Sequence, residues 1–108
     1  MAANAEKETK DSLGRTLKYR RLGALDRARL FKAVGPQNSQ NAPYLGMAMI
    51  ACSCTFVDEI PIPFPTRDSE VENAIARLGD EGMDAISTAI VAEETAKEEA
   101  ANATASEA

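Results

Sequence analysis

Cys52 and Cys54 form a C-x-C pair, a spacing at which two thiolates can share a soft metal ion or exchange electrons. A structural zinc takes about four ligands. This sequence offers two thiols and contains no histidine. A four-cysteine iron–sulfur cluster is equally beyond one such chain. The pair therefore reads as two small apolar residues at the end of an apolar stretch, and no metal or cofactor is expected.

The missing histidine also removes the commonest general base and the usual activator of a Ser or Cys nucleophile. Glu70, Glu72, Asp80, Glu81 and Asp84 fall on faces expected to meet solvent, where a run of charge is a hydrated surface rather than an acid–base pair. Gly14, Gly23, Gly35 and Gly46 make no phosphate-cradling loop. No catalytic residue is assigned, and the chain reads as a non-enzyme.

The charges are divided along the chain. Residues 1–36 hold nine Lys or Arg against four Asp or Glu, while residues 37–108 hold three against thirteen, for a net charge of −5. Such a chain can neutralise itself on folding or present two different faces to partners. Arg15, Lys18, Arg20, Arg21, Arg27, Arg29 and Lys32 lie within eighteen residues, as a phosphate-binding surface would require. On a helix, however, Arg27 and Arg29 point about 200° apart, and the acidic remainder repels DNA. A small nucleic-acid-binding regulator is the runner-up to the reading developed below.

The elements that would position these residues follow from periodicity. "GRTLKYRRL" alternates as a strand ending near Arg21. "ALDRARLFKAVGP" carries a helical stripe with Asp26 in its first turn, stopped by Gly35-Pro36. Asn41 caps a second helix, with Pro43 in its first turn. In that helix Tyr44–Cys52 is almost wholly apolar, hence buried on most sides. The uncharged run Tyr44–Phe56 is thirteen residues long, short of the roughly 20 a membrane span needs. "CTFVDEIPIPFP" reads as a hairpin turning at Asp58-Glu59, its prolines confining the second arm to an edge. Val71, Ala74, Ile75 and Leu78 mark a third helix ended by Gly79, and Met83, Ile86, Ala89 and Ile90 a fourth capped by Asp80.

The expected fold is a small single α+β domain. It has about four α-helices, a short N-terminal strand and a β-hairpin in a small antiparallel sheet. With 5% aromatic residues and no tryptophan, its core must be aliphatic. Residues 1–12 are expected as a flexible arm, 13–92 as the domain, and the Ala/Glu-rich 93–108 as a flexible or fraying helical tail. "MAANAEKETK" lacks the apolar region of a secretory signal. With only two cysteines, a reducing, cytoplasmic setting is expected.

Two longer segments carry a family resemblance. "DSLGRTLKYRRLGALDRARLFKAVG", followed by "NAPYLGMAMIACSCTFVDEIPIPFPTRDSEVENAIARLGDEGMDAI", resembles the tail assembly chaperones of long-tailed bacteriophages over roughly residues 11–90. The resemblance implies a non-enzymatic protein that keeps the tape-measure protein soluble while the tail tube is built. It implies work in the host cell cytoplasm and absence from the mature virion. Further partners it suggests are the tail tube protein, another copy of the chain, or a longer form made by frameshifting. A structural tail component is the remaining alternative.

An adaptable apolar surface suits such a partner. Leu45, Met49, Ile50 and Cys52 are expected to face inward. Tyr44 and Met47, at the margin of their helix, are expected to meet the partner together with Met83, Ile86 and Ile90.

Overall fold

The computed structural model describes the backbone of residues 5–107 and the side chains of residues 5–96. Strands β1 (Lys7–Lys10) and β2 (Thr16–Tyr19) lead into helices α1 (Ala24–Asn38) and α2 (Ala42–Ser53). The hairpin β3 (Cys54–Val57) and β4 (Ile60–Pro61) follows, and α3 (Asp68–Glu107) closes the fold. Among the described residues this is an α+β domain of three helices and one antiparallel sheet in the order β1-β2-β3-β4. No helix of the described residues is long and apolar enough to cross a membrane.

The sheet uses local irregularity to aim its side chains. Leu17 pairs with Val57 and Lys18 with Phe56, but Tyr19 pairs with Cys54, so Thr55 is an extra residue in β3. This bulge lets Cys54 and Val57, three positions apart, both point into the core. Lys18 stands over the Phe56 ring, 5.2 Å from its centroid. The turn falls at Asp58 and Glu59 as their residue types suggested, and both take positive φ, 48° and 73°. Asp58 then pairs with Thr16 twice: its N–H donates to the Thr16 carbonyl, and its carboxylate accepts from the Thr16 N–H, each at 2.8 Å.

Two apolar clusters share α2 between them. In the first, Leu17, Tyr19, Cys54 and Val57 of the sheet meet Ala51 of α2 and Ala74, Leu78 and Ile86 of α3. In the second, Leu30 and Val34 of α1 meet Ala48 and Cys52 of α2 and Val71 of α3. Each fully buried Leu or Ile contributes about 2 kcal/mol. The inward face of α2 corrects the expectation from sequence. Ala48, Ala51 and Cys52 make the closest approach, while Leu45, Met49 and Ile50 are half-buried along its flanks. A helix wedged between two others approaches both through its small residues, and its large side chains fill the margins.

Two glycines bend the helices. Gly35 (φ 85°) interrupts α1 where Gly35-Pro36 was expected to end it, and Pro36–Asn38 adds one further turn. Gly79 (φ 67°, ψ −175°) breaks α3, so the two helices expected either side of it are two segments of one element. The left-handed region is open to glycine at little cost.

One segment differs from its sequence reading. Lys7–Lys10, expected within a flexible arm, is a strand paired along its length with β2. It has no apolar alternation because three of its four residues are exposed and only Thr9 is half-buried. The helical backbone of α3 runs through Glu107, across the segment expected as a flexible or fraying helical tail. At the start of that segment Glu93 pairs with Lys7, and Glu94 with Arg21 at 3.2 Å. Residues 1–4 of the expected arm lie outside the described residues.

Candidate functional site

The break at Gly79 creates a concavity. Ile75 precedes it and Met83 follows it, and both line a shallow open groove whose far wall is Met47 and Ile50 of α2. Met47 and Ile50 share a face at i, i+3; Asp80, Met83, Asp84 and Ser87 share another at spacings of three and four. Met47 is 47% exposed, and Met83, Ile50 and Ile75 are half-buried. The rim is acidic, with Asp80, Glu81 and Asp84 around an apolar floor. None of the three forms an ion pair among the described residues.

The bend is held from the sheet side. Arg15 donates from Nη1 to the Arg77 carbonyl at 3.1 Å and from Nη2 to the Leu78 carbonyl at 2.6 Å. These are carbonyls that the break at Gly79 leaves without helical partners. The Arg15 Nε lies 2.6 Å from Asp11 Oδ2, and Asp11 Oδ1 accepts from the N–H groups of Leu13 and Arg15 at 3.0 and 2.9 Å. Burial pushes the Asp11 carboxyl up, but the Arg15 N–H and guanidinium and the Leu13 N–H outweigh it and hold it below its ordinary value. Gly82 is buried beside this knot. A Cβ there would meet Leu78 Cβ and Cδ2 at 3.0 Å and Arg15 Nη2 at 3.3 Å.

Of the five residues expected to meet a partner, the structure brings Met47 and Met83 together in the groove and separates the rest. Ile86 is fully buried in the first cluster, which removes it from any surface. Its place in the apolar stripe of the last helix could not tell core from margin. Ile90 is half-buried against the same cluster and lies outside the groove. Tyr44 packs on the second cluster, and its hydroxyl donates to Asp68 Oδ1 at 2.6 Å. Burial first, and then that carboxylate, push the phenol's ionisation well up, so it is a neutral structural donor. Ile50 and Ile75 were not foreseen as lining. Ile50 carried a faint signal in its i, i+3 spacing from Met47; Ile75 carried none, being part of the core stripe.

The cysteines are free and buried. Burial pushes the Cys52 thiol up to about 12 and the Cys54 thiol up to about 11. Burial thus favours the neutral thiol near neutral pH, which lowers the nucleophilicity of both. Among the described residues no group of three or more Cys, Asp or Glu is placed to hold a metal. Much of the basic cluster is engaged within the chain. Arg15 serves Asp11 and α3, Arg20 pairs with Asp26 at 2.7 Å, Arg21 pairs with Glu94, and Arg27 donates to the Leu22 carbonyl at 3.2 Å.

No protein-family model matches the chain, and no curated protein or solved structure does so either.

Proposed function

We propose that this protein is a non-enzymatic tail assembly chaperone of the long-tailed bacteriophage kind, which holds a tape-measure chain soluble during tail tube assembly. The observation that supports this reading is the groove of Met47, Ile50, Ile75 and Met83 at the bend of α3. A long helix-rich chain with apolar stripes self-associates unless those stripes are covered reversibly. A shallow groove with two methionines accepts the apolar face of a helix and adapts to its sequence. Work in the host cytoplasm, and release before the virion is complete, belong to the same reading. The nucleic-acid alternative draws less support, because Arg15, Arg20 and Arg21 are engaged by carboxylates of their own chain.

The test is co-expression with the tape-measure protein of the same genome, reading its soluble yield and co-purification. Met47→Glu places a charge on a half-exposed wall, away from the buried clusters. It should leave the free fold within about 0.5 kcal/mol of wild type and abolish co-purification. A tape-measure chain that stays insoluble beside the wild-type protein would overturn the proposal. So would equal capture by Met47→Glu.

A further inference from the structure

We infer that the groove selects an amphipathic helix whose apolar stripe is flanked by lysine or arginine. This rests on reading the groove as a partner-binding surface. Charge complementarity points to this occupant. Asp80, Glu81 and Asp84 stand along one side of an apolar floor, and no cation of the described residues is ion-paired to them. Lys10 of β1 shares a neighbouring depression with Glu81 and Asp84 but pairs with neither.

Asp80 and Glu81 directly follow Gly79, so they also complement the positive start of the second α3 segment. Asp84 lies a full turn further on, beyond the first turn where that effect acts. Its placement on the Met83 side of the groove is therefore the informative one. A helix docked on Met47 and Met83 brings its flanking side chains against this rim. Lys or Arg there gains attraction, and Glu or Asp there is repelled while its apolar stripe is being desolvated.

The experiment uses three synthetic helices of about 20 residues, long enough to hold helical structure. They share one Leu/Met stripe and differ only in flanks of Lys, Gln or Glu. Affinity for the full chain is measured by fluorescence anisotropy at low and high salt. The Lys-flanked helix should bind roughly tenfold more tightly than the Glu-flanked one at low salt, the gap narrowing as salt rises. Asp84→Lys should abolish or reverse that order with thermal stability unchanged. Equal affinities for all three helices, no binding of any, or an unchanged order in Asp84→Lys would each overturn the inference. Tape-measure capture without charge preference would sink this inference and leave the chaperone reading standing. Charge-selective peptide binding without tape-measure capture would do the reverse.

Discussion

The Nη2 atom of Arg15 lies 2.6 Å from the carbonyl oxygen of Leu78, 63 residues away along the chain. One guanidinium thereby ties the residue just before β2 to the bend that shapes the groove. Its other bonds, to Asp11 and to the Arg77 carbonyl, leave little of its fork geometry unused.

Arg15→Ala should cost about 3 kcal/mol. It strands the Asp11 carboxylate in a buried position and orphans the Leu78 carbonyl. Arg15→Lys should fall between wild type and Arg15→Ala, since one compact ammonium cannot span the separate acceptors that Nε, Nη1 and Nη2 of the planar guanidinium reach. Urea unfolding of the three proteins gives the comparison. A loss below about 0.5 kcal/mol for Arg15→Ala would show that the bend stands without it.

Acid should weaken the fold through the same knot. The folded-state pKa of Asp11 is depressed, whereas in the unfolded chain it returns to about 3.9. Its contribution is complete above that unfolded value and is lost as pH falls through the folded value. Asp26 behaves alike, held down first by its hydrogen bond from Arg20. Thermal midpoints should thus fall below about pH 4. Asp11→Asn, less stable at neutral pH, should show a shallower acid decline. An equally steep decline in that variant would place the acid sensitivity elsewhere.

Gly82→Ala should destabilise by about 1–3 kcal/mol, the usual cost of overpacking. Propensity alone says the opposite, since alanine favours a helix over glycine by about 1 kcal/mol. The new methyl would press on Leu78 and on the Arg15 fork. Differential scanning calorimetry decides the sign, and a raised midpoint would mean that the knot relaxes freely.

The local chemistry of the fold was legible from the chain. Asn41 accepts from the Tyr44 N–H at 3.3 Å as a cap, Gly79 breaks its helix, and Asp58-Glu59 makes the turn. Each depends on residues within one turn of one another. What was not legible depends on distant neighbours. β1 is a strand because β2 pairs with it, not because "KETK" favours one. Ala48 and Ala51 are buried because α1, α3 and the sheet crowd α2. The groove was half-legible. Met47 and Met83 were singled out by residue type, but Ile86 proved to be core and Asp84 stood among charges that all looked alike.

The reach from Arg15 to Leu78 also sets an order of events during synthesis. Residues near the N-terminus of a growing chain emerge seconds before those past position 60, at roughly 5–20 residues per second. Until then β2 has no β3 to pair with, and Arg15 has no α3 carbonyls to bind. Closing such distant contacts costs loop entropy before any contact repays it. The basic third of the molecule therefore waits, positively charged and without the contacts that β3 and α3 supply, for the acidic two-thirds to arrive.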